Sequence, residues 1–270
     1  MNMCTLFEYF DNKDILLEAL KQKPDLNIKN YYGDTVAMIV FKNCKDKDIL
    51  LELLKQKPNL NIENYDGDTV AMFAFKYCRN KDILLELLKQ KPDLNIQGDY
   101  GNTVTIIAFE QFMNCGDIDV LLEVLKQKPN LNIQNYYGDT IGMIAFKYCT
   151  NKYTLLELLK QKPNLDIQDR CGNTIANYAF KYCDDKEILL EVLRQKPDLT
   201  LKNIKNKTAL GYALKYYFKS PNFEFDVLEK LYNDNSKQDK QLVNLDYLRI
   251  KRKYKVLPLV FFRYYQRYYN

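Results

Sequence analysis

The chain has 270 residues, 47% of them apolar and 28% charged, with a net charge of only +5. That is ample for a sizeable core and too evenly charged for a polyelectrolyte. It contains no histidine and no tryptophan. The side chain best suited to proton transfer near neutral pH, and the commonest metal ligand, is therefore missing, so neither an enzyme nor a cofactor is expected.

No apolar run approaches the roughly 18–20 residues that a membrane span needs. The opening stretch carries acids in its first turns and no basic segment, unlike a secretory signal. A soluble chain is expected.

From the N-terminus onward the sequence is periodic. Thr35, Thr69, Thr103, Thr140, Thr174 and Thr208 are spaced by 34, 34, 37, 34 and 34 residues. Gly33, Gly67, Gly101, Gly138 and Gly172 stand two residues before the first five, and Asn206 holds the sixth place. Asparagine tolerates the left-handed backbone that glycine allows. Counting backward, Met1 falls on the Thr position, so the chain opens in the first helix of a capping unit. The units run over 1–30, 31–64, 65–98, 99–135, 136–169, 170–203 and 204–236. The fourth carries extra residues around Gln111 to Gly116 and the last more before Val227, both placed in surface loops.

Within a unit, Thr69 starts an apolar helix through Phe75. Asn80, matched by Asp46, Asn151 and Asp185, is placed to cap a second helix. That helix has an apolar face of Ile83, Leu84, Leu87 and Leu88. Pro92 ends it near Lys91, because the residue before a proline avoids the helical region. An extended, turned link, DLNIQGDYGNT, then leads to the next Thr. One such unit cannot bury both helices alone, so stability comes from stacking.

This order of helix, loop, helix and projecting turn resembles the ankyrin repeat. Asn64, Tyr65, Asp66, Gly67, Asp68 and Thr69 match that family's turn, Ile83, Leu84, Leu87 and Leu88 its second helix, and Asp93, Leu94 and Asn95 its D-V-N. The T-P-L-H tetrad survives only as its Thr, and Cys78 and Lys91 stand where the family places glycine. The expected fold is therefore mainly α, an ankyrin-like solenoid over 1–236 followed by a cap or tail at 237–270.

The resemblance implies a non-enzymatic scaffold that binds one or more proteins through its concave face. That face would comprise the turn tips and the exposed side of the first helices. The tips are Tyr31, Tyr32 and Asp34; Tyr65, Asp66 and Asp68; Asp99, Tyr100 and Asn102; Tyr136, Tyr137 and Asp139; and Arg170, Cys171 and Asn173. The helix positions are Lys42 and Asn43, Lys76 and Tyr77, Glu110 and Gln111, Lys147 and Tyr148, and Lys181 and Tyr182. Tyrosine offers large, stiff, amphipathic contact area. The competing explanation is that duplication copied these rings, and that some of them pack against neighbouring turns.

Cys44, Cys78, Cys149 and Cys183 each follow their repeat Thr by nine residues. One repeat apart, at about 8–10 Å, such positions are too distant for disulfides. Small thiols in a reducing, cytoplasmic compartment are expected.

Residues 237–270 hold nine Lys/Arg against two Asp/Glu, leaving 31 against 33 in residues 1–236. Leu242, Leu245 and Leu248 precede a basic stretch from Arg249 to Lys255, which reads as a capping helix with a solvated basic face. The same stretch would suit nuclear import or a nucleic-acid contact. Some ankyrin proteins of large DNA viruses and intracellular bacteria end in an F-box-like segment that recruits ubiquitin ligases. Val256, Leu257 and Pro258 are faintly similar to its opening, which would make the chain an adaptor. No self-association signal is present, so a monomer is expected.

Overall fold

A computed structural model describes residues 3–9, 12–112 and 118–217. The centre of the insertion in the fourth unit, the seventh unit beyond Tyr217 and the whole tail, with its basic stretch and F-box-like segment, lie outside the described residues. The chain divides into two compact units, Met1–Arg170 and Cys171–Asn270.

The first unit contains five helical pairs: α1 (Met3–Tyr9) with α2 (Lys13–Lys21), α3 (Val36–Asn43) with α4 (Lys47–Lys55), α5 (Val70–Tyr77) with α6 (Lys81–Lys89), α7 (Val104–Phe112) with α8 (Ile118–Lys126), and α9 (Ile141–Tyr148) with α10 (Lys152–Lys160). The odd-numbered helices pack on one another in sequence, and so do the even-numbered ones, giving two parallel rows. Val36 to Phe41 are all buried, as are Val70 to Phe75, so α3 and α5 are enclosed on every side except at their C-terminal ends. By contrast α4 and α6 bury one face each: Ile49, Leu50, Leu53 and Leu54, then Ile83, Leu84, Leu87 and Leu88. A helix that is apolar all round belongs in an inner layer, and an amphipathic one on the outside.

The helix starts follow from the repeat Thr. Thr35, Thr69 and Thr140 are extended N-cap residues whose hydroxyls accept from Met38 N, Met72 N and Met143 N at 3.2, 3.3 and 3.5 Å. The sulfurs of Met38 and Met72 accept in return from the Thr35 and Thr69 N–H groups at 3.3 and 3.4 Å. Methionine thus closes a reciprocal capping box in the absence of the family's Pro and His. Asp46, Asn80 and Asn151 cap the second helices as expected.

The second helix ends two residues earlier than the proline rule placed it. Lys89 closes α6, Gln90 caps it, and Lys91 takes a left-handed backbone with φ 52°. Its counterparts Lys57, Lys128 and Lys162 have φ 51°, 53° and 53°. Lysine has replaced glycine here, but the glycine conformation is kept. Pro92 removes the residue before it from the helical region without saying where that residue goes.

Side chains tie successive units together. The amides of Gln56, Gln90, Gln127 and Gln161 donate to the Leu20, Leu54, Leu88 and Leu125 carbonyls of the preceding pair, at 2.6, 2.8, 2.7 and 2.6 Å. In the extended link, the Asn27, Asn61, Asn95 and Asn132 side chains accept from the next unit's Asn59, Asp93, Asn130 and Asn164 N–H groups. Cys44, Cys78 and Cys149 cap the first helices as free thiols, and burial pushes all three thiols up from their ordinary range.

The second compact unit repeats the motif with α11 (Ile175–Tyr182), α12 (Lys186–Arg194) and α13 (Ala209–Tyr217). Thr174 caps α11 and Asp185 caps α12. In place of the methionine, Asn177 accepts from the Thr174 N–H and hydroxyl at 3.0 and 2.7 Å.

Candidate partner-binding face

Three of the projecting turns are built around an asparagine, Asn30, Asn64 or Asn135. In the second unit, Asn30 Oδ1 accepts from Tyr32 N and Asp34 N at 2.9 and 3.0 Å. Asn64 accepts from Asp66 N and Asp68 N at 3.1 and 2.9 Å, and Asn135 from Tyr137 N and Asp139 N, both at 3.0 Å. The side chain mimics a backbone turn, the role for which asparagine is favoured there. The turns are joined to one another through the same residues. Asn64 Nδ2 donates to Asp34 Oδ1 at 2.6 Å, and Asn135 Nδ2 to Asn102 Oδ1 at 3.1 Å.

On this frame the tyrosine tips stand in solvent. Tyr31 is 89% exposed and Tyr100 54%, with Tyr32, Tyr65, Tyr136 and Tyr137 between them. Tyr31 and Tyr32 meet edge to face at 5.7 Å, and Tyr100 and Tyr137 stack at 6.4 Å with planes 10° apart. Two rings also lie over a glycine of the preceding turn. A Cβ added to Gly33 would meet Tyr65 at 2.9 Å, and one added to Gly101 would meet the Tyr136 ring at 2.7 Å. Packing against neighbouring turns and exposure therefore coexist in the same residues.

The carboxylates divide into two kinds. Asp66 and Asp99 are exposed. Asp34 and Asp68 face inward, at 7% and 6% exposure, and Asp139 is half-buried. Asp34 receives Asn64. Asp68 receives the Asp99 N–H at 3.1 Å and Lys76 Nζ at 2.5 Å, and Asp139 receives Lys147 Nζ at 2.7 Å. The resemblance had implied that Asp34, Asp68, Asp139, Lys76 and Lys147 belong to the presented surface. Instead, Lys76 and Lys147 tie Asp68 and Asp139 to their own first helices, and Asp34 is joined to Asn64 at the next turn. Asn102, also half-buried, is likewise engaged with Asn135.

Tyr77 and Tyr148, at the first-helix ends, are exposed. Tyr77 is braced by Phe73 at 5.5 Å, and its carbonyl accepts from Lys45 Nζ at 2.7 Å. Lys45 lacked any periodic signal that singled it out.

Glu110 is the exception in the row. It is exposed, yet loss of hydration holds its carboxyl above the ordinary range; Lys76 opposes that effect and Asp139 adds to it. In the second compact unit Lys181 lies over the Tyr182 ring at 4.5 Å, and Tyr182 stacks on Tyr178 at 6.2 Å.

Among the described residues no group of three or more His, Cys, Asp or Glu side chains is arranged to hold a metal ion. No described helix is long and apolar enough to cross a membrane.

No family model matches the sequence, and no curated protein matches it. Solved structures do resemble the fold. The ankyrin repeat domain of Bcl-3, a member of the IkappaB protein family, aligns with a TM-score of 0.56 at 19% identity, covering 85% of this chain and 98% of that one. A chain from the complex of a predatory endopeptidase of Bdellovibrio bacteriovorus with an immunity protein aligns with a TM-score of 0.54 at 23% identity, covering 77% of this chain and all of that one.

Proposed function

We propose that this chain, whose fold is that of the ankyrin repeat, is a non-enzymatic scaffold that holds a protein partner through the concave face of its turn tips and first-helix ends. The observation that carries the reading is the row of exposed tyrosines from Tyr31 to Tyr137 on turns already fixed by asparagine hydrogen bonds. Rings on a pre-ordered backbone lose little conformational freedom on binding, so contact area converts into affinity with small ordering cost. One structural neighbour comes from a complex between two proteins, which supports a role in protein recognition.

The buried, poorly ionised thiols of Cys78 and Cys149 suit a reducing compartment, and we place the protein in the cytoplasm as a monomer. All seven repeat units, 1–236, belong to the scaffold in this reading.

The test compares Tyr100→Ala/Tyr137→Ala with Glu86→Ala/Glu157→Ala in affinity capture of a partner by the full chain. Removing an interfacial tyrosine typically costs about 2 kcal/mol, roughly thirtyfold in affinity. The tyrosine variant is expected to lose the partner, and the glutamate variant, altered on the outer helices, to keep it. The opposite pattern would move the site to the convex face.

A further inference from the structure

The fourth unit breaks the charge pattern of its neighbours. Along the first helices, positions 42, 76, 110, 147 and 181 read Lys, Lys, Glu, Lys and Lys, while the turn positions 34, 68, 102, 139 and 173 read Asp, Asp, Asn, Asp and Asn. In the third and fifth units the lysine is tied to its own turn: Lys76 to Asp68 and Lys147 to Asp139. These ion pairs are half-buried and cancel their own charge. Between them Asn102 and Glu110 form no such pair, so a negative charge remains. Asp99 stands exposed on the same unit's tip, and its backbone N–H touches Asp68.

With Asp68 and Asp139 paired to lysines, the fourth unit presents two exposed carboxylates, Asp99 and Glu110. The tip itself carries the nearly coplanar Tyr100 and Tyr137 rings. Ring faces and unbalanced carboxylates attract the same thing, a cation attached to an apolar stem.

We propose that this stretch receives an extended segment of the partner bearing a Lys or Arg beside an apolar or aromatic residue, with the cation against Asp99 and Glu110 and its neighbour on Tyr100 and Tyr137. The proposal rests on the binding-face reading above and adds the chemistry of the occupant.

The test needs no known partner. Random peptides displayed on phage are selected against the full chain, against Asn102→Asp/Glu110→Lys, and against Tyr100→Ala/Tyr137→Ala. The charge-exchanged variant copies the Asp68–Lys76 pairing of its neighbour, and an unchanged melting curve verifies its fold. Peptides selected by the wild type are expected to carry Lys or Arg at a fixed offset from an apolar residue. Asn102→Asp/Glu110→Lys is expected to lose that preference and to bind the selected peptides roughly tenfold more weakly, the size of one lost charge-assisted contact.

Wild-type pools without a basic preference, or with an acidic one, would overturn the assignment while leaving the binding face intact. A charge-exchanged variant that kept the preference would do the same. No enrichment by the wild type, or undiminished binding by the tyrosine variant, would remove the binding face and the assignment together.

Discussion

Replacing Asn64 by alanine removes three hydrogen bonds at once. Its Oδ1 accepts from Asp66 N and Asp68 N at 3.1 and 2.9 Å, and its Nδ2 donates to the buried Asp34 carboxylate at 2.6 Å. Two neutral bonds contribute about 1 kcal/mol each and one to a carboxylate about 1.5–3 kcal/mol. Water recovers part of the Asp66 bond, because that residue is exposed, but it reaches Asp34 poorly. The expected loss is about 3 kcal/mol.

Urea denaturation followed by circular dichroism measures it, with Asn59→Ala as the control. The exposed Asn59 accepts only the Asn61 N–H, at 3.0 Å, and its loss should stay under about 1 kcal/mol. A double-mutant cycle with Asp34→Ala is expected to return a coupling of about 1–2 kcal/mol. A cost for Asn64→Ala no larger than the control's, or a coupling near zero, would refute the claim that asparagine binds one turn to the next. The chain already contains a natural variant of this site. Gly98 takes the asparagine's place in the fourth unit, where the turn tightens into a 3₁₀ segment, Tyr100 takes φ 55°, and Asp68 accepts from Asp99 N instead.

Further outcomes follow from other sites. Lys91→Gly should stabilise by about 0.5–1 kcal/mol, because relief of the left-handed lysine outweighs the added freedom of the unfolded chain; Glu123→Gly, inside α8, should cost about 1 kcal/mol in the same melting assay. Gly101→Ala meets both a φ of 70° and the Tyr136 ring at 2.7 Å, so a loss of about 2 kcal/mol is expected by thermal denaturation, with weakened binding at Tyr136.

Glu110→Gln should raise the melting temperature at neutral pH. A carboxyl raised on folding contributes stability below its unfolded pKa and loses it as pH rises through the folded one. The advantage of the Gln variant should therefore vanish in acid, and a constant offset across the titration would sink the argument. Buried Cys78 and Cys149 should react with thiol reagents more slowly than the exposed Cys171, with rates that climb above the ordinary thiol range.

Much of the frame was legible because it depends on local rules. The Thr period located each first helix, and the Asx residues at 46, 80, 151 and 185 marked the second-helix starts. What escaped depended on partners distant in sequence. Nothing local to Asp34 or Asp68 announces burial; it follows from Asn64 at the base of the next turn and Lys76 at the far end of the same first helix. Methionine gives no sequence signal of a cap, because its sulfur is a weak acceptor that serves only once the Thr N–H is enclosed. Glu110 stood among the expected surface positions, but its meaning appears only when its loss of a lysine is set beside the Asp-to-Asn change at 102.

Two sets of links between successive units run one way, whereas Gln97 and Gln134 run the other, donating to the Gln134 and Gln168 carbonyls of the unit that follows. Leu20, Leu54, Leu88 and Leu125 offer carbonyls, and Asn27, Asn61, Asn95 and Asn132 offer side-chain oxygens, to donors that arrive only with the following unit. Within the leucine-carbonyl and asparagine series, the two ends of a helical pair are chemically unlike. A pair exposed at the leading end leaves glutamine amides that can swing into water, whereas one exposed at the trailing end leaves backbone carbonyls fixed in place. Truncation on either side should consequently demand a replacement cap, because loss of trailing pairs leaves glutamine acceptors such as the Leu88 carbonyl open and loss of leading pairs does the same to the Gln134 and Gln168 carbonyls.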